Sequence, residues 1–127
     1  MAAVRVVLVE DNHVFRETIE LLLGLRGGIE IVGSVGSGGE AIELCRALQP
    51  DIALVDYRMP GLNGAETTSE LLRASPGTRV VCLTASISHD EEEQLYGAGA
   101  VACLTKDEDL DQIVNAIREA AAGAARA

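Results

Sequence analysis

The sequence predicts a doubly wound α/β domain of the (βα)5 type, five parallel strands alternating with five helices, on three observations. Ile52-Ala-Leu-Val55 and Val80-Val-Cys-Leu83 are unbroken apolar runs of strand length, as expected for strands buried on both faces of a parallel sheet. The segments between such runs carry apolar residues at helical spacing, several of them behind an N-cap signal. At 127 residues, with 48% hydrophobic but only 2% aromatic residues, the chain holds one core built from Val, Leu, Ile and Ala.

Val4 to Val9 is β-rich and ends in Glu10-Asp11. Asn12 caps a first helix in which Phe15, Ile19, Leu22 and Leu23 share a face, and Gly27-Gly28 stops it. Ile29 to Val35 alternates more and is more polar, as an edge strand would be. Ser37 and Glu40 have capping-box spacing for a helix that runs to Leu48, before Gln49-Pro50 ends it. Ile52 to Val55 delivers Asp56, Pro60-Gly61 breaks the backbone, and Asn63 with Glu66 opens a third helix over Gly64 to Ala74. Arg79 to Thr84 is the fourth strand, and Ser88 with Glu91 opens a short acidic helix reaching Gly97. Val101 to Thr105 is the fifth strand, with Lys106 at its end. Asp107 is expected to cap a last helix, apolar at Leu110, Ile113, Val114 and Ile117, that continues to Ala122. The expected strand order is 2-1-3-4-5, with right-handed crossovers.

The net charge of −10 disfavours direct contact with a nucleic-acid backbone, and no basic run offsets it. Cys45, Cys82 and Cys103 lack metal-ligand spacing and read as thiols of a reducing compartment, with neither disulfide nor structural zinc expected. No apolar run approaches the ~20 residues of a membrane span, and no signal-peptide pattern opens the chain, so a cytoplasmic location is expected.

In an open α/β sheet, chemistry sits outside the carboxyl ends of the strands. That rim collects Glu10, Asp11, Asp56, Thr84 and Lys106. Clustered carboxylates repel, and an all-oxygen set of this kind suits Mg²⁺. A lysine and a hydroxyl opposite them suit phosphoryl oxygens, so the rim reads as a phosphoryl-transfer site with a carboxylate nucleophile.

Glu10-Asp11, Asp56 with Met59-Pro-Gly-Leu-Asn-Gly64, Thr84-Ala85 and Lys106, in this order at strand ends, resemble the receiver domain of two-component response regulators. The resemblance spans about Arg5 to Ala122. It implies a flavodoxin-like receiver over residues 1–122, with 123–127 as a tail or the start of a linker. It also implies a regulatory switch rather than an enzyme acting on other substrates, one that assists its own phosphorylation and dephosphorylation. Asp56 would accept a phosphoryl group from a sensor histidine kinase. Asp11 and Asp56 would hold Mg²⁺, with Glu10 reaching it through water and the Arg58 backbone carbonyl completing the set. Thr84 and Lys106 would contact the phosphoryl oxygens, while Arg58 and Ser86 lie where the lifetime of the acyl phosphate is tuned. Lys106-Asp107 lacks the proline many receivers have after the lysine, so a trans peptide is expected. That junction and Gly97-Ala-Gly-Ala100 are similar to regulators of the NarL/FixJ type, whose helix-turn-helix output domain this sequence is not expected to contain. A homodimer formed on phosphorylation through the fourth helix, fifth strand and fifth helix is a further expectation.

One departure stands out: receivers carry an aromatic residue three positions before the lysine, and here that residue is Cys103. Either Tyr96 or another group of the fourth helix takes over the coupling, or Thr84 still moves but the outer face responds weakly; the second is the expectation.

Taken singly, each of these residues has a plainer role: Asp11, Asn63 and Asp107 as caps, Thr84 as a β-former, Lys106 as an exposed cation, and His13 and His89 as surface residues. Gly36-Ser-Gly-Gly-Glu-Ala41 has the form of a dinucleotide fingerprint but follows the wrong strand and leaves the acid, Thr and Lys set unexplained. A phosphatase of the haloacid dehalogenase type also uses Mg²⁺ and an Asp nucleophile. It wants a second acid where Arg58 stands.

Overall fold

The computed structural model of the protein describes residues 3–126. The strands are β1 (Val4–Val9), β2 (Ile29–Val35), β3 (Ile52–Val55), β4 (Arg79–Thr84) and β5 (Ala102–Thr105), and the helices are α1 (His13–Gly24), α2 (Gly38–Leu48), α3 (Gly64–Ala74), α4 (His89–Gly97) and α5 (Leu110–Arg126). They alternate along the chain, and the sheet is parallel in the order β2-β1-β3-β4-β5, as the sequence predicts.

The period of two along each strand divides the core into two halves. Val7, Val9, Ala53, Val55, Val80 and Cys82 face Ala41 and Cys45 of α2, Leu71 of α3 and Leu95 of α4. Val6, Leu8, Ile52, Leu54, Val81 and Leu83 face Ile19 and Leu23 of α1 and Ile113, Val114 and Ile117 of α5. Every residue of β3 is buried, which is why that strand shows no alternation in sequence. Each fully buried Leu or Ile contributes about 1.5–3 kcal/mol relative to exposure.

Local signals set the helix starts. Asn63 with Glu66 and Ser88 with Glu91 form complete capping boxes. Ser37 accepts from the Glu40 amide as expected, but its hydroxyl donates to the Glu40 carboxylate, so that box takes a different form. Asp107 is not the cap of α5: its carboxylate accepts from the Thr105 hydroxyl, while Asp109 and Gln112 exchange side-chain and backbone hydrogen bonds at the helix start. The turn after β5 is therefore longer than expected. α5 also runs beyond Ala122, through Gly123 to Arg126. Leu22 is 37% exposed, because one position of helical twist carries it off the stripe that buries Ile19 and Leu23. α1 ends at Gly24, ahead of the expected glycine stop, and Gly28 then takes a positive φ of 81° in the turn to β2. Val101 stays outside β5 and is half exposed. The Lys106-Asp107 peptide is trans.

Two glycines of the fingerprint-like stretch, Gly36 and Gly38, serve packing. A Cβ on Gly38 would run into the side chain of Thr67 on α3, and one on Gly36 would lie 2.8 Å from the Arg16 guanidinium. Gly64 has a sharper constraint, since a Cβ there would lie 2.6 Å from the Tyr57 Cα and 3.0 Å from the Asp56 carbonyl oxygen. The Gly64 amide donates to the Tyr57 carbonyl at 2.7 Å, so α3 starts pressed against the backbone that carries Asp56. Gly64→Ala is therefore expected to destabilise the fold by roughly 1–3 kcal/mol, because main chain rather than a flexible side chain must move. Urea unfolding checks it, and an unchanged midpoint would refute the close approach.

Candidate functional site

β1 and β3 are adjacent and in register at Val9 and Val55, so the residues that follow them, Glu10 and Asp56, emerge side by side. The Asp56 amide donates to the Val9 carbonyl at 3.0 Å, and the Glu10 amide donates to the Val35 carbonyl at 3.0 Å. The sheet ladder thus continues past the strands and fixes both acids. Asp11 opens the loop before the Asn12 cap. Carboxylate oxygens of Glu10, Asp11 and Asp56 lie within 4.8 Å of one another, forming a possible metal-binding group. Glu10 is 2% exposed and Asp56 6%, while Asp11 is exposed to solvent.

Lys106, brought in by β5, faces these acids. Its Nζ lies 2.6 Å from Glu10 Oε1 and 3.5 Å from Asp56 Oδ2, and it sits 4.3 Å from the centre of the Phe15 ring. A lysine over an aromatic face gains a further cation–π attraction in this sheltered place. The Lys106 amide donates to the Thr84 carbonyl at 2.9 Å, so the backbone that holds the lysine is tied to β4. Glu10 also accepts from the Asn12 amide at 2.9 Å. Burial is the largest influence on the Glu10 carboxyl and pushes its pKa above the ordinary value of 4.5; the Lys106 and Asn12 hydrogen bonds pull it back, and Asp56 adds a further upward push.

Thr84 stands at the end of β4 and is buried, as the rim arrangement requires. Its hydroxyl donates to the Ser86 carbonyl at 3.4 Å, within its own loop, and not to Asp56. Arg58 is more complex. Its amide donates to Asp56 Oδ1 at 3.4 Å, while its guanidinium makes a two-pronged pair with Glu91 at 3.0 and 2.7 Å. Glu91 is also the carboxylate of the α4 capping box, so one side chain joins the loop after β3 to the start of α4. With Arg58 and the Ser88 amide as donors, the Glu91 carboxyl is lowered to about 2.

Phe15, Arg16 and Glu91 complete the surroundings, and sequence reasoning did not single them out for the site. Arg16 donates to the Glu10 carbonyl at 2.8 Å. Their partners lie on other elements or across a turn, so the helical spacing of Phe15 and the capping position of Glu91 gave only the local half of each role. At the outer side of the sheet, the Tyr96 hydroxyl of α4 meets the backbone of Cys103 on β5. His13 and His89 are at the surface, paired with Glu17 and Glu93.

Residues 6–118 match the family described as response regulator receiver domain. The chain belongs to that family. It is 40% identical over 123 residues to the transcriptional regulatory protein NarL of Mycobacterium tuberculosis, covering 94% of this chain and 56% of that protein. It is 36% identical over 120 residues to the response regulator GacA of Pseudomonas aeruginosa, with the same two coverages. The chain therefore spans about half the length of these curated relatives. Among solved structures, the signal receiver domain of NarL from M. tuberculosis superposes with a TM-score of 0.90 at 37% identity, covering 97% of this chain and 99% of that one. A LuxR-family response regulator from Aurantimonas also superposes at 0.90, with 30% identity and coverages of 96% and 87%. These likenesses place the chain among the regulatory receivers of two-component signalling. Among the described residues, no helix is long and apolar enough to cross a membrane.

The Arg58–Glu91 pair has a definite pH signature. A carboxyl held at about 2 instead of 4.5 lends stability that is complete above pH 4.5 and is lost as pH falls towards 2. Thermal unfolding of the protein and of Glu91→Gln should therefore differ most above pH 4.5, converge in acid, and differ less in high salt. A constant gap across that range would contradict the pairing.

Proposed function

We propose that this receiver is a phosphorylation-dependent switch in which Asp56 accepts a phosphoryl group from a sensor histidine kinase. The observation that carries the reading is the near-complete burial of the Asp56 carboxylate between two further acids and one lysine. A burial that costly is offset only by partners of this kind, and the same partners suit an acyl phosphate.

Asp56 supplies the nucleophilic oxygen; the new O–P bond forms as the N–P bond to the donor histidine breaks. The oxygen-rich set of Glu10, Asp11 and Asp56 fits Mg²⁺; Asp11, Asp56 and the Arg58 carbonyl would hold it, and Glu10 would act through water. When bound, the ion neutralises the carboxylates and polarises the phosphoryl oxygens. Lys106, already 3.5 Å from Asp56 Oδ2, holds a phosphoryl oxygen and offsets its charge. Thr84 exchanges its Ser86 carbonyl partner for a phosphoryl oxygen, and that exchange moves the loop before α4. Arg58 and Ser86, beside the acid and exposed, set the lifetime of the phosphorylated state.

The receiver proper is residues 1–122, and 123–127 are a tail or the start of a linker, into which α5 extends. The signal passes through the face of α4, β5 and α5, with dimerisation on phosphorylation, to a DNA-binding output domain. The acidic receiver makes no contact of its own with nucleic acid or membrane. The setting is cytoplasmic.

With Mg²⁺ and a small phosphodonor, intact-mass measurement should show one phosphoryl group, stable to acid and labile to base, on the protein and none on Asp56→Asn. Equal uptake by the variant would overturn the assignment, and turnover of a phosphate ester without a lasting phosphoprotein would favour a phosphatase.

Removing a negative charge from the rim gives a second test. Without metal, Asp11→Ala should melt higher than the parent, since repulsion with Asp56 and Glu10 is relieved. With Mg²⁺ the parent should gain more than the variant. Identical melting of both proteins with and without the ion would argue against a shared carboxylate site.

A further inference from the structure

β4 and β5 place Cys82 and Cys103 directly opposite one another. Both side chains lie on the sheet face covered by α2, α3 and α4: Cys82 belongs to that half of the core and Cys103 packs against it. The two thiols are thus direct cross-strand neighbours. Adjacent strands run about 4.8 Å apart, which falls inside the roughly 4.4–6.8 Å between Cα atoms that a disulfide spans. The pair is unequal in access. Cys82 is fully buried, whereas Cys103, on the edge strand, is partly open to solvent. Cys45, the third thiol, is buried on α2 in the same half of the core, without the strand-to-strand pairing that sets Cys82 opposite Cys103.

From this juxtaposition we infer that Cys82 and Cys103 form a redox-active dithiol, a site of reversible oxidation to an intramolecular disulfide by small hydroperoxides. The roles of the two thiols follow from access and chemistry. Cys103 is reached first, and the Cys82 thiol beside it favours the Cys103 thiolate, while Cys82 itself is held protonated. The Cys103 thiolate attacks a peroxide oxygen; the O–O bond breaks and leaves a sulfenic acid on Cys103 and hydroxide (or alkoxide), which takes up a proton. The Cys82 sulfur then attacks the Cys103 sulfur. The S–S bond forms, the S–OH bond breaks, and the departing hydroxide takes the Cys82 proton to become water. In sum, two thiols are oxidised and one hydroperoxide is reduced, and a dithiol reductant reverses the change.

The cross-link ties together the strands that end in Thr84 and Lys106, just below the Tyr96 contact of α4 with the Cys103 backbone. Oxidation therefore acts beside the acidic rim without using any of its residues.

Intact-mass analysis of the native protein after a mild excess of hydrogen peroxide is the test, with remaining thiols alkylated after unfolding. The protein should lose the mass of two hydrogen atoms and take up one alkyl group in place of three. A non-reducing digest should join the peptide of Cys82 to that of Cys103, and dithiothreitol should restore all three thiols. Cys103→Ser should lose no hydrogens under the same treatment. Retention of three alkylatable thiols by the parent, addition of oxygen atoms instead of loss of hydrogens, or a cross-link involving Cys45 would each overturn the inference. The peptide map of the parent decides the matter even if the serine variant does not fold.

Discussion

The buried ion cluster of Lys106 with Glu10 and Asp56 is the constraint on which the rest of the structure depends. Two acids and one lysine are withdrawn from water at the carboxyl edge of the sheet. Ionised groups in such a place are costly unless opposite charge and directed hydrogen bonds meet them. Here they are met by Lys106, by the Asn12 and Arg58 amides, and by the Phe15 ring beneath the lysine. Four elements of the chain, β1, α1, β3 and β5, converge to satisfy one another at that point. The apolar halves of the sheet provide the rigidity, since β3, buried throughout, cannot shift without disturbing both.

The same edge shows how a local event is tied to distant surface. Asp56 is followed within two residues by Arg58, whose guanidinium grips the Glu91 carboxylate that also caps α4. Thr84 is linked through its carbonyl to the Lys106 amide and through its hydroxyl to the Ser86 carbonyl. Any rearrangement around Asp56 therefore has two covalently short routes to α4: one through Arg58, one through the loop after β4. Tyr96 gives α4 a third tie, to the Cys103 backbone on β5. Small side chains at 82 and 103 leave that side of the β4–β5 junction without a ring, and the thiols meet each other instead.

Much of this was legible in the sequence because it rests on short-range rules. Period-two burial, apolar runs and Asn or Ser caps specify the elements, and the parallel topology follows because each strand is followed by a helix. Strand ends that finish in Glu10, Asp56, Thr84 and Lys106 mark the edge before any fold is drawn. The errors were local as well. Asp107 has the chemistry of a cap, yet it is taken up by Thr105, and Asp109 two residues later does the capping. Leu22 looks apolar enough for the core, but a rotation of one residue leaves it at the margin.

The sequence by itself determined the element order, the strand pairing and which residue types arrive at the carboxyl edge of the sheet, because those depend on periodicity and on the chemistry of chain reversal. Only the tertiary structure decided how the arriving groups meet: that Lys106 lies closer to Glu10 than to Asp56, that Arg58 turns to Glu91, that Thr84 bonds within its own loop, and that Cys82 faces Cys103. Those choices join residues up to 96 positions apart through side-chain direction and competition for partners, as between Glu10 and Lys106. No spacing along the chain encodes such competition; it is settled when burial forces each polar group to find the nearest partner that will satisfy it.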